Sequence, residues 1–125
     1  MKVRINRIDR LGMENERVLM EVMEDCNLSH YLLFDNTYSN NGILSNLSRH
    51  VYFFNAKEVK KGDFISLFTR KKRVNDKDSF SNKRKTTTYQ LFWGLDKEIW
   101  NNVRDSAYLL HYDDWMVKNA EESDD

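Results

Sequence analysis

Cys26 and three histidines are the side chains of this 125-residue chain best suited to nucleophilic or metal chemistry. Cys26 and His30 stand four residues apart, with Glu24 and Asp25 beside them. A zinc centre needs a third and a fourth ligand at fixed geometry, and His50 and His111 are far off in sequence. A thiol nucleophile needs a histidine base and a third group to orient it, and no spacing here specifies that arrangement. A half-buried cysteine at a strand–loop junction is the favoured reading. Asp113-Asp114 and Glu121-Glu122 are paired carboxylates, but no Asp-x-Asp-x-Asp-Gly pattern accompanies them, so a solvated turn and tail are expected. The glycines, at 12, 42, 62 and 94, do not cluster into a phosphate-binding loop. The expectation is a non-enzymatic chain without a cofactor or metal.

One charged feature rises above that background. Between residues 70 and 85 stand Arg70, Lys71, Lys72, Arg73, Lys77, Lys83, Arg84 and Lys85, against Asp76 and Asp78. Cations on an extended loop neutralise phosphates, and a nearby aromatic such as Phe80 or Tyr89 can stack on a base. Arg70, Lys71, Lys72, Arg73, Lys83, Arg84 and Lys85 are therefore the candidate binding residues for nucleic acid or an acidic partner. The competing reading is a solubilising hairpin tip that blocks edge pairing. A bipartite nuclear-import signal is a third. Residues 113–125 carry six acidic groups against Lys118 alone, so this tail is a candidate mask for the basic stretch.

The elements that must carry these residues read as strands. Val18, Met20 and Val22 alternate with Arg17, Leu19 and Glu21, the period of a half-buried strand. Further short apolar runs stand at residues 3–5, 31–34, 51–54, 64–69, 86–93, 106–112 and 115–117, separated by polar turns. Residues 36–48 read as a long Asn/Ser-rich loop and 70–85 as an exposed hairpin tip or loop. About eight strands with turns between them predict an all-β sandwich. The chain contains no proline, so its edges need other protection or stay open to pairing. Length suits one domain over residues 1–120, followed by an acidic disordered tail at 121–125. Equal totals of 20 basic and 20 acidic residues argue against a wholly basic nucleic-acid coat. A single cysteine, an N-terminus interrupted by charge and the lack of a long apolar run lead to an expected cytoplasmic location with no membrane span.

Three segments, in order, resemble the lamin tail domain family. Asn27-Leu28-Ser29-His30-Tyr31, running on to Asp35, is similar to an Asp-Leu-Ser-Gly-Trp stretch that leads into a strand ending in Asp. Val51 to Phe54, then Val59-Lys60-Lys61-Gly62-Asp63-Phe64-Ile65-Ser66-Leu67, resembles the family's aromatic strand, glycine turn and apolar strand. Ile99-Trp100-Asn101-Asn102-Val103-Arg104-Asp105-Ser106-Ala107-Tyr108-Leu109 looks like its Trp-Asn-Asn-x-Gly-Asp-x-Ala-x-Leu segment. Arg104 and His30 stand where glycine is usual, and Tyr31 where tryptophan is. The resemblance implies an immunoglobulin-like, Greek-key β-sandwich that acts as an interaction module. Buried aromatics and turn acids hold cores and loops, so structural roles are expected for Trp100 and Asp105. The expected function is binding of a protein or nucleic acid by a monomeric or weakly self-associating chain. The alternative is a structural or protein-pairing domain that acts through an exposed sheet edge.

Overall fold

The computed structural model describes residues 1–37, 50–100 and 105–121. Most of the expected loop at 36–48, the Asn101–Arg104 part of the tryptophan motif and residues 122–125 of the acidic tail lie outside them.

The described residues contain no helix, and therefore none long and apolar enough to cross a membrane. They form β1 (Val3–Asp9), β2 (Arg17–Val22), β3 (Cys26–Asn27), β4 (Tyr31–Thr37) and β5 (Val51–Phe53). These are followed by β6 (Glu58–Val59), β7 (Phe64–Phe68), β8 (Ser79–Ser81), β9 (Thr87–Phe92) and β10 (Asp105–His111). Strands β3, β6 and β8 are only two or three residues long, too short to show a periodic pattern in sequence. Residues 115–117, expected as a strand, are not one. Their apolar side chains lie along the surface instead.

A five-stranded sheet runs β1-β2-β7-β9-β8, a three-stranded sheet β10-β4-β5, and β3 pairs with β6. Val18, Met20 and Val22 of β2 and Ile65 and Leu67 of β7 bury the inner side of the first sheet. Tyr31 and Leu33 of β4, with Ala107 and Leu109 of β10, do the same for the second. Both sets belong to one apolar cluster, which also holds Leu28, Val59, Ile99 and Trp100, so the architecture is a sandwich-like, all-β one.

Strands β7 and β9 are parallel, with Ile65 opposite Tyr89 and Leu67 opposite Leu91. Parallel neighbours need a crossover rather than a hairpin. Residues 69–86 supply it, so this stretch is not a hairpin tip between the two strands. It carries β8, which returns along β9 as an antiparallel edge. Buried polar contacts clamp the crossover and its neighbours. Glu16, almost fully buried, accepts hydrogen bonds at one carboxylate oxygen from the Thr69 hydroxyl (2.7 Å) and the Ile99 amide (2.9 Å). Asp63 accepts from the Lys60 amide (2.8 Å) and the Thr87 amide (3.0 Å), tying the turn before β7 to the start of β9.

Candidate interaction surfaces

Antiparallel register decides which side chains leave the core. In the five-stranded sheet the outward positions read Arg17, Leu19 and Glu21 on β2 against Phe68, Ser66 and Phe64 on β7. This outer face is polar or covered. Arg4 and Asn6 both bond Glu21 (3.2 and 3.1 Å), and Arg17 pairs with Asp9 (2.9 Å). The stacked pair Phe68 and Phe92 lies under two guanidinium groups. Arg17 sits 5.7 Å from the Phe68 ring, and Arg70 sits 5.0 and 5.2 Å from the two rings. Cations held over ring faces both shield and stabilise them.

That geometry divides the seven basic candidates. Arg70 is a cap: its side chain is only 11% exposed, it grips Asp76 with two guanidinium nitrogens (2.7 and 3.2 Å), and it donates to the Glu14 carbonyl (3.0 Å). The Arg70 bond, helped by the Arg73 amide, holds the Asp76 carboxyl down to about 2. Lys72 pairs with Asp78 (2.6 Å), and Arg73 forms a two-bond ion pair with Glu14. The Arg73 hydrogen bonds lower the Glu14 carboxyl, and the same pair raises the arginine. Lys71 is exposed and makes no ion pair among the described residues.

Lys83, Arg84 and Lys85 form the tip of the β8–β9 hairpin, and none of them makes an ion pair among the described residues. Asn82 builds this tip: its side-chain oxygen accepts from the Arg84 amide (3.0 Å), the Thr86 amide (3.2 Å) and the Thr86 hydroxyl (3.0 Å). Lys85 takes the left-handed backbone that closes the turn, at φ 61°. The Arg84 guanidinium lies 5.5 Å from the Phe64 ring. Sequence spacing hid a second contributor. The Lys60–Gly62 turn abuts this tip so closely that a Cβ on Gly62 would sit 3.2 Å from the Thr86 methyl. Exposed Lys61, and Lys60 in a loose exposed pair with Asp25 (3.8 Å), therefore stand at the same end of the molecule as Lys83–Lys85.

The cysteine and histidines are not brought together as a catalytic set. Cys26, His30 and His111 line an open cavity of about 520 Å³, but no hydrogen bond joins Cys26 to either ring among the described residues. Burial pushes the Cys26 thiol up, the direction opposite to an activated thiolate. The His111 ring packs on Tyr31 (4.4 Å) and the His30 ring on Trp115 (4.2 Å). His50 lines a smaller cavity, of about 250 Å³, with Asp96, Lys97 and Glu98. Its Nδ1 lies 3.3 Å from Asp35, whose carboxylate also accepts the His50 amide (2.8 Å). That pair extends the β4–β5 ladder, and among the described residues the cavity wall offers no serine, threonine or cysteine nucleophile. Among the described residues no group of three or more potential metal ligands converges.

The outer face of the three-stranded sheet is of another kind. Register places Leu110, Leu32 and Phe53 in one row across β10, β4 and β5, and Tyr108, Phe34 and Val51 in the next. All six are apolar or aromatic, and no charged side chain stands among them. Phe34 and Tyr108 stack at 5.2 Å, while Phe53 is 62% exposed. Past β10 the chain sets Trp115, Met116 and Val117 beside this face, leaving a hollow of about 330 Å³ between them, Leu32, Phe53, Tyr112 and Asp114. A contiguous exposed apolar patch of this kind marks an interaction site, whereas scattered exposed side chains do not.

The signal for this face was present in the sequence. Strands with one wet side alternate, but Tyr31-Leu32-Leu33-Phe34, Val51-Tyr52-Phe53-Phe54 and Tyr108-Leu109-Leu110 are continuous apolar runs. Such runs belong to strands covered on both sides, and the described residues leave one side largely bare. Comparison of the chain with protein-family models and with curated proteins finds no match.

Proposed function

We propose that this chain is a non-enzymatic interaction module, an immunoglobulin-like sandwich of lamin-tail type, that binds a protein partner through the apolar outer face of β10-β4-β5. The contrast between the two sheets carries this reading. One outer face is dressed with ion pairs and arginine caps. The other exposes two rows of apolar side chains with no cation held over them among the described residues. Burying such a face yields about 25 cal/mol per Å², and exposing it without a partner favours aggregation.

The lamin-tail part of the reading is supported by the backbone. His30 holds φ 67° at the position where the family has glycine. The Asn27 side chain, at the position of the motif's Asp, accepts from the Ser29 and Lys57 amides (2.9 and 3.2 Å), as a turn-forming Asx residue can. Leu28, Tyr31 and Trp100 are all buried in the core, and Gly62 is at φ 92°. These residues hold the fold from the core side, while Leu32, Phe34, Val51, Phe53 and Tyr108 of the same motif segments point to the outer face.

The test is photo-crosslinking in the native host cell, with a photoreactive phenylalanine analogue at position 53 and, as control, at position 80, exposed on the β8 edge of the other sheet. A discrete adduct from position 53 alone is the expected result. No adduct from 53, or the same adduct from both, refutes the reading.

A second reading keeps the anionic partner but moves its site. The cations of the 70–73 half are largely neutralised, so an acidic protein or nucleic acid would meet Lys83, Arg84 and Lys85 together with Lys60 and Lys61. Contact with about four phosphates gives a log affinity against log salt slope of about −4. Titration of labelled single- and double-stranded DNA at low salt tests it. Binding that survives alanine at these five positions refutes it.

A further inference from the structure

We propose that the occupant of the β10-β4-β5 face is a second copy of the same chain, packed sheet against sheet about a two-fold axis. This rests on the reading of that face as an interface and names its partner. Three observations carry it. First, the area is right. Val51, Phe53, Leu110, Trp115, Met116 and Val117 are 42% to 88% exposed. With side chains of this class burying roughly 150–250 Å² for the aromatic ones, the face offers on the order of 700–800 Å² of apolar surface. A stable interface takes about 800 Å² from each partner.

Second, the face is self-complementary in chemistry. Its two strand rows hold no charged side chain, and among the described residues Asp114 is the one charged group lining the hollow beside them, so a matching surface must be largely uncharged as well, and the same rows of Leu110-Leu32-Phe53 and Tyr108-Phe34-Val51 on another copy satisfy that. It also presents both halves of a fit. A hollow of about 330 Å³ lies beside Phe53, and the exposed Leu110 and Val51 side chains stand on the same surface. A two-fold interface requires this, because each patch must receive what it donates. Two such sheets pack about 10 Å apart with interdigitating side chains.

Third, nothing at long range keeps two copies apart. The 20 basic and 20 acidic residues cancel, and a protein without net charge lacks the repulsion that holds monomers separate.

Sedimentation equilibrium of the full chain across a concentration series is the test, with Phe53→Asp, Leu110→Asp and, as control, Gln90→Asp on the other outer face. The dimer is expected with a dissociation constant of about 1 µM or tighter. Either face variant should weaken it at least tenfold, and the control should leave it unchanged. Circular dichroism checks folding. If an aspartate variant fails to fold, Val51→Thr replaces it and should weaken the dimer about threefold. A wild-type chain that is monomeric throughout overturns the proposal, as does a dimer indifferent to the face variants. A monomer whose position 53 crosslinks to a different protein in cells overturns self-association alone. A monomer with no adduct at position 53 overturns the interface reading as well.

Discussion

Replacing Glu16 with alanine removes a buried acceptor shared by two distant parts of the chain. Its oxygen takes the Thr69 hydroxyl at 2.7 Å and the Ile99 amide at 2.9 Å. Glu16 and Thr69 are essentially inaccessible, and Ile99 is 7% exposed, so water cannot replace the lost acceptor without opening the sandwich. Each donor left bare at such a site costs about 1–3 kcal/mol. The vacated volume adds to this, so Glu16→Ala should destabilise the domain by about 3–5 kcal/mol. Glu16→Gln keeps one acceptor oxygen in place and exchanges charge-assisted bonds for neutral ones, at a cost of about 1–2 kcal/mol. Urea unfolding followed by tryptophan fluorescence reads both, with an unchanged slope and a midpoint lowered by roughly 2 M for alanine. If alanine and glutamine both fall within 1 kcal/mol of wild type, Glu16 is not the clamp that binds the β2 entry, the end of β7 and the Trp100 segment together.

The split among the basic residues gives a second expectation. Arg70→Ala uncovers Phe68 and Phe92 and frees Asp76, and should cost about 1–3 kcal/mol in urea unfolding, whereas Lys83→Ala should stay within about 0.5 kcal/mol. Equal effects would contradict the distinction. The Asp76 carboxyl, held down to about 2 by Arg70, has a defined pH signature. A depressed carboxyl stabilises the fold above its ordinary value of 3.8, and that stabilisation is lost as the pH falls toward about 2. The stability gap between wild type and Asp76→Asn should therefore close between pH 4 and pH 2, and a gap that persists at pH 2 would contradict it. Lys85→Gly should raise stability by about 0.5–1 kcal/mol, because glycine relieves the left-handed strain at φ 61°. A lowered thermal midpoint would count against that turn geometry.

The half-buried strands were legible where one side meets water. Val18, Met20 and Val22 alternate with Arg17, Leu19 and Glu21 in sequence, and the structure buries the first set. The parallel pairing of β7 with β9 was not legible, because local periodicity reports which side of a strand is wet and not which strand lies beside it. The basic stretch shows a second limit. A count of charges over residues 70–85 includes Asp76 and Asp78 but misses Glu14, which the fold brings to Arg73. It also misses Phe68 and Phe92, which make Arg70 a cap. Lys60 and Lys61 joined the hairpin tip only through the contact between Gly62 and Thr86. The apolar outer face was written in the runs at 31–34, 51–54 and 108–110. Reading it needed the register, which sends Leu32, Phe53 and Leu110 to one side together.

Side-chain oxidative footprinting of the chain in its native cells, compared with dilute purified protein, tests the interface most directly. Phe53, Trp115 and Met116 should be protected several-fold in cells, while Phe80, exposed on the β8 edge of the other sheet, should react equally in both settings. Equal reactivity of Phe53 and Met116 in cells and in dilute solution would contradict an interface on β10-β4-β5.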